Sequence, residues 1–182
     1  MRKILTVALA GVLAATMLFA GCSKKEESKI PEKIIVGTNA EFPPFEYVDD
    51  NKKVDGFDIA LMKEIAKRMD KKIEIQNMEF KSLIGSMESK TINVVAAGMT
   101  KTEERQNAVD FSDSYYTSNQ AIIVNKDSKI TKLSQLDGKK IGVQLGTTGD
   151  IYASDYEEQG STIERFNKGN DAVQALLQGK ID

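Results

Sequence analysis

The 182-residue sequence predicts an α/β fold with mainly parallel sheets. Three observations carry this. From Lys33 onward, short β-branched runs alternate with segments of helical period, the order that builds parallel sheets covered by helices. Ile92 to Ala97 (INVVAA) is a continuous apolar run, as a strand buried on both faces requires. Glycines stand where strands give way to helices, at Gly98 and at Gly146.

The N-terminus comes first and stands apart from this pattern. Met1-Arg2-Lys3 is basic, residues 4–20 carry no charge, and Gly21-Cys22 precedes a charged stretch. That is the order of a secretory signal. An uncleaved anchor helix is the other use of such a run. Phe19-Ala20-Gly21-Cys22 resembles a bacterial lipobox, with Phe19 departing from the usual aliphatic residue. The resemblance implies that 1–21 is a lipoprotein signal peptide and that Cys22 becomes the lipidated first residue. Several acyl chains on one cysteine hold a protein durably on a membrane. Residues 22–32 are polar and lack periodicity, which suits a flexible tether.

The first strand is Lys33 to Thr38 (KIIVGT). Glu41 to Tyr47 holds two prolines and reads as a stiff aromatic loop. A hairpin follows around Asp49-Asp50-Asn51. Asp58 suits a helix cap, and Ile59, Met62, Ile65, Ala66 and Met69 share one face of the helix behind it. Lys72 to Gln76 is the next strand. Ser82 suits the cap of a short helix with Leu83, Ile84 and Met87 inward. After Ile92–Ala97 comes a brief helix near Glu103 to Asn107. Gln120 to Val124 and Lys139 to Gln144 read as strands, and Thr147 to about Tyr156 as a helix. Thr162 to Arg165 is a short strand, and Asn170 to Gln178 a helix capped by Asn170 or Asp171. Gly179 to Asp182 reads as a helix end entering a strand, so a frame that stops short is expected, with a frayed final helix as the alternative.

Composition removes whole classes of chemistry. Histidine is absent and there is one cysteine, so no Ser-His-Asp triad, Cys-His pair, His-based metal site or internal disulfide can form. No cofactor motif stands out. A net charge of -2 gives no electrostatic basis for binding nucleic acid.

Two turns are suited to an anion. In the first, a buried strand ends at Gly98, Thr100 offers a hydroxyl, and Arg105 offers a planar fork that matches a carboxylate. Open α/β sheets bind ligands at this end of their strands. Plain capping by Thr100 or Thr102, with Arg105 paired to Glu103, uses the same residues. The second turn, Gln144-Leu145-Gly146-Thr147-Thr148-Gly149-Asp150, repeats the arrangement, and a capped helix again explains it equally. It lacks the lysine of a P-loop. The aromatics Phe42, Phe45, Tyr47 and Phe80 suit either core lids or the walls of a small-ligand site. Asn39 lies just past the first strand, where its amide can reach a polar group.

From Lys33 to Asp182 the chain resembles the polar amino-acid binding proteins of ABC importers, the family 3 solute-binding proteins. The matching stretches are Gly37 to Tyr47 (GTNAEFPPFEY), Val54 to Ile59 (VDGFDI), Ala97 to Thr100 with Arg105, Val109 to Ser112 through Tyr116, Leu136 to Lys139, and Gln144 to Thr148. The resemblance implies a two-lobed periplasmic-binding-protein-like fold, with lobe one at 33–118 and a crossing strand and partial lobe two at 119–182. It implies that Arg105 binds a ligand α-carboxylate, helped by Gly98 and Thr100 from one lobe and Thr147 and Thr148 from the other. Phe42 and Phe80 would pack the ligand side chain. Asn39 would read its head group and lean toward an uncharged polar amino acid, with Gln144 facing the same pocket. The protein would be a monomeric, lipid-anchored receptor outside the cytoplasm that delivers its ligand to an ABC permease.

The family places an acid for the ligand ammonium beyond the position of Asp182. The second lobe is therefore expected to be incomplete, and the 182-residue chain to bind poorly. A cyclohexadienyl dehydratase-like enzyme on the same scaffold, a sensor domain and a structural lipoprotein are the competing readings. The enzyme would need an acid or base in the cleft, without histidine to serve.

Overall fold

The computed structural model describes residues 30–182; the signal-peptide and Cys22 readings, and residues 22–29 of the tether, lie outside the described residues. The strands are β1 Lys33–Thr38, β2 Glu41–Phe42, β3 Glu46–Val48, β4 Val54–Asp55, β5 Lys72–Asn77, β6 Val94–Val95, β7 Lys140–Gln144 and β8 Thr162–Phe166. The α-helices are α1 Phe57–Arg68, α2 Leu83–Glu88, α3 Glu103–Gln106, α4 Thr148–Ser154 and α5 Gly169–Leu177.

The first lobe is built on a parallel sheet in the order β5-β1-β6. Alternation along β1 sends side chains to opposite faces. Ile34 and Val36 meet Met62 and Ala66 of α1, while Ile35 packs on the opposite face with Leu83 of α2, Ile92 and Ala97. Gly37 lies so close to Ile92 and Leu83 that a larger residue there would collide. Val36, Ile59, Leu83 and Ile92 are fully buried, each worth about 1.5–3 kcal/mol of apolar burial. A small antiparallel sheet, β2-β3-β4, leads into α1, and Asp49 closes its turn by accepting the amides of Asn51 and Lys53.

The second lobe carries the parallel pair β7-β8. Ala175 and Leu176 of α5 pack with Ile181 and Phe166. The last residue runs beside β7, with Asp182 N–H donating to Lys140 O at 2.9 Å.

Several elements differ from expectation. β6 is shorter than Ile92–Ala97 because the side chain of Asn93 takes a ladder position, its Oδ1 accepting Ile35 N–H at 2.7 Å. Residues 120–124 form no strand; no described strand pairs with them, and Ile122 and Ile123 stay exposed. Glu41 to Tyr47 holds two short strands rather than a loop throughout. Asp58, Ser82, Asn170 and Asp171 cap no helix through their side chains: Gly56, Ser82 and Lys168 hold the N-cap positions without a side-chain bond, and Asp58 turns inward. No helix among the described residues is long and apolar enough to cross a membrane.

Candidate functional site

Three chain segments reach the carboxyl ends of the parallel strands: the Asn39 segment after β1, the Gly98 turn after β6 and the Gly146 turn after β7. In the first turn Gly98 takes a φ of 51°, a conformation that suits glycine, and its N–H donates to Asp58 Oδ2 at 2.8 Å. Thr102 Oγ1 then caps α3 by accepting Arg105 N–H at 3.3 Å. Capping so early in a four-residue helix turns Arg105 inward, where it is 7% exposed. Burial lowers its guanidinium below the usual arginine value, and Glu104 opposes the shift.

The second turn is built alike. Gly146 has a φ of 80°, and its N–H donates to Asp150 Oδ2 at 2.9 Å. Thr147 Oγ1 accepts Asp150 N–H at 3.3 Å and donates to Gln144 O at 2.8 Å. Asp150 also pairs with Arg165 Nε at 2.8 Å, and Arg165 reaches Glu157 and Ser154.

Polar contacts join the two lobes. Arg105 Nη1 donates to Thr100 O at 2.7 Å, and its Nη2 donates to Gly146 O at 2.9 Å. The guanidinium lies 5.4 Å from the centre of the Phe80 ring, within cation–π range. Two of its five N–H donors are thereby matched among the described residues. Asn39, 6% exposed, donates to Met78 O at 2.9 Å and accepts Gln144 Nε2–H at 2.9 Å. Lys81 Nζ reaches Asn167 Oδ1 at 3.0 Å, and Lys168 Nζ reaches Glu41 Oε1 at 2.8 Å.

Phe80 and Arg105 thus meet the Gly146 turn, Asn39 pairs with Gln144 at its start, and Gly98 lies behind them against Asp58 and Phe42. Others sit differently from what their side chains suggested. Thr100 contributes its carbonyl, and Thr147 spends its hydroxyl on capping. Thr148 Oγ1 accepts Gln120 Nε2–H at 2.8 Å. Phe42 is half exposed, stacks on Phe45 at 5.7 Å between centroids, and flanks Gly98. A shallow hollow lined by Met87, Glu88, Gln106 and Val109 shares none of these residues.

Sequence alone does not mark Asp58, Glu46, Tyr115 and Arg165, which lie behind the two turns. For Asp58 there is nonetheless a signal. It stands four residues before Met62 on the buried stripe of α1, where a carboxylate needs a partner.

Two α/β lobes whose strand-end turns meet over one buried arginine define a clamp-type binding protein. The chain belongs to the bacterial extracellular solute-binding proteins, family 3, whose pattern matches residues 34–182. It is 39% identical over 183 residues to the arginine-binding extracellular protein ArtP of Bacillus subtilis (strain 168), covering 100% of this chain and 71% of that one. It is 37% identical to the putative ABC transporter arginine-binding protein 2 of Escherichia coli (strain K12), covering 83% of this chain and 61% of the relative. A solved ancestral arginine-binding protein bound to arginine superposes with a TM-score of 0.80 at 44% identity, over 84% of this chain and 68% of that one. The family and these relatives are binding proteins rather than enzymes, which sets aside the dehydratase reading.

Proposed function

We propose that the chain binds a polar α-amino acid between its lobes, with the ligand carboxylate on Arg105, and passes it to an ABC importer permease. The observation that carries this reading is the position of Arg105, buried and bonded at once to the Gly98–Arg105 turn and to the Gly146 turn. An arginine so placed grips a carboxylate with a planar fork. A ligand that contacts both lobes favours their closed arrangement by its differential contacts alone.

Phe80 fixes the guanidinium plane, and Phe42 flanks the Gly98 turn. Gly98, Thr100, Thr147 and Thr148 shape the two rims. The Asn39–Gln144 amide pair is the polar reader of the ligand side chain. Lipid at Cys22 holds the receptor outside the cytoplasm and near its permease, which raises the local concentration there.

Calorimetric titration with L-arginine and L-glutamine tests binding. The relatives named for arginine motivate the first probe, and the Asn39–Gln144 pair the second. Because the chain spans 71% of the Bacillus relative, it is titrated by itself and extended with that relative's remaining segment. Saturable binding by the extended chain, lost in Arg105→Ala, supports the reading. Absence of binding to either amino acid, or parental affinity in Arg105→Ala, refutes it. Fatty-acid labelling tests the anchor: Cys22→Ser is expected to go unlabelled and to leave the membrane fraction.

A further inference from the structure

The side chains behind the Gly98 turn are acids. Glu46 on β3 is 1% exposed and Asp58 on α1 is 0% exposed, and both carboxyl groups converge on Gly98: Asp58 Oδ2 accepts its N–H at 2.8 Å, Glu46 Oε1 lies 3.6 Å from where a Gly98 Cβ would stand, and Asp58 N–H donates to the carbonyl of Phe45, the residue before Glu46, at 2.9 Å. Asp58 Oδ2 is occupied twice, by Gly98 N–H at 2.8 Å and by Tyr115 O–H at 2.8 Å. Asp58 Oδ1 and Glu46 Oε2 are buried with no donor reaching either among the described residues.

Two bare carboxylates cannot sit side by side away from water without a cation. None is supplied: among the described residues the ion pairs involve other acids. The groups facing the pair are the Tyr115 hydroxyl, from the segment after α3, and the Gly98 amide. One proton held by the two carboxyl groups turns an acceptor into a donor and halves the buried charge.

We propose that Glu46 and Asp58 share one proton, and that this protonated pair is the positioning device that fixes the Gly98 turn for the Arg105 grip. What the turn receives rests on the amino-acid reading; the shared proton does not. Burial first, then the charge and hydrogen bond of Asp58, push the Glu46 carboxyl up from 4.5 to about 9. Burial and the bond to Asp58 push Tyr115 up as well, so its hydroxyl remains a donor over the same range.

The direction of the pH effect follows. Glu46 holds its proton more tightly folded than unfolded, so its contribution to stability is complete below about pH 4.5 and is lost as pH rises toward about 9. The folded pair keeps its proton, and the turn its geometry, up to about pH 9.

Equilibrium denaturation of the parent chain and of Glu46→Gln, as a function of pH, tests the shared proton. The Gln amide donates to Asp58 without titrating. Relative to this variant, the parent's folding equilibrium constant should fall by about tenfold per pH unit within the window from 4.5 to 9. Parallel profiles overturn the proposal. The positioning role is read from the Gly98 amide by NMR proton exchange, as protection relative to the amides of β1. Parent and variant should match near neutral pH. One pH unit beyond about 9, Gly98 in the parent should lose about tenfold or more of its protection. Equal protection in both chains at both pH values overturns that role. In the extended chain, L-arginine affinity should fall over the same alkaline range more steeply in the parent than in Glu46→Gln, whose fall reports the loss of the ligand's own ammonium proton. Absence of L-arginine binding at every pH would count against the ligand reading and leave the denaturation and amide results standing.

Discussion

The Gly98 and Gly146 turns solve one local problem with different electrostatics. Each glycine has a positive φ, 51° and 80°. Each donates its N–H to an aspartate on a helix, at 2.8 Å and 2.9 Å. Each is followed by a threonine-capped helix start. They part in how the aspartate's charge is met. Asp150 has Arg165, whose side chain is 34% exposed. Asp58, itself fully buried, has a second buried acid and the hydroxyl of Tyr115, a residue 46% exposed. Asp150 is itself buried, but Arg165 reaches water and rehydrates when its partner is lost. A buried acid pair has no such reserve. The first turn should therefore be the stiffer and the more sensitive of the two.

The largest effect is expected where the turns meet. Arg105→Ala removes the side chain bonded to both. Amino-acid affinity of the extended chain should fall by about 100-fold or more, as loss of a charge-assisted pair implies. Arg105→Lys should recover little of it, because an ammonium cannot reproduce the planar fork. Full recovery by lysine would show that one positive charge, rather than a joined pair of turns, is what the site needs.

Removing the two aspartates separately breaks the comparison most directly. Asp58→Ala strands the Gly98 amide, the Tyr115 hydroxyl and Glu46, and should cost about 2–3 kcal/mol by chemical denaturation. Asp150→Ala strands the Gly146 amide but lets Arg165 rehydrate, and should cost about 1 kcal/mol. Equal costs would mean that the buried acid pair gives the first turn no extra stiffness.

Much of this arrangement is legible in the sequence. Strand–glycine–threonine–helix at Gly98 and Gly146 is local information, and the caps at Thr102 and Thr147 form at those positions. Arg105 is recognisable by type and by its place beyond a buried strand. What the residues do not announce is pairing across the chain. Glu46 and Asp58 meet only once β3 and α1 pack together, and Asp150 meets Arg165 only when β8 lies beside β7. An acid at a helix start usually suits a cap, but Asp58 stands on the buried stripe of α1, and Gly56 holds the N-cap position. The strand expected at 120–124 fails for a related reason. β propensity is local, but a ladder needs a neighbour.

A smaller effect comes from the glycines. Alanine at either position costs about 1 kcal/mol for its positive φ. The surroundings then separate them. At Gly98 the added methyl meets the Phe42 ring at 3.3 Å, and that ring is half exposed and free to give. At Gly146 it meets Lys81 Cβ at 3.2 Å and Lys81 Cα at 3.3 Å, across the junction of the lobes. Gly146→Ala should therefore weaken amino-acid binding more than Gly98→Ala at similar cost in stability. Paired denaturation and calorimetry measure both quantities. The reverse order would place the closer approach at the first turn.

The smallest effect tests the charge difference itself. Arg165→Met removes a partly exposed partner of Asp150 and Glu157 and should cost about 0.5 kcal/mol at low ionic strength. Added salt to about 1 M shortens the screening length to about 3 Å, so the gap between parent and variant should shrink toward zero. The gap between the parent and Glu46→Gln should persist in the same salt, because ions do not enter the buried acid pair. If both gaps close together, the acid pair is exposed to solvent ions and the two turns share one electrostatic regime.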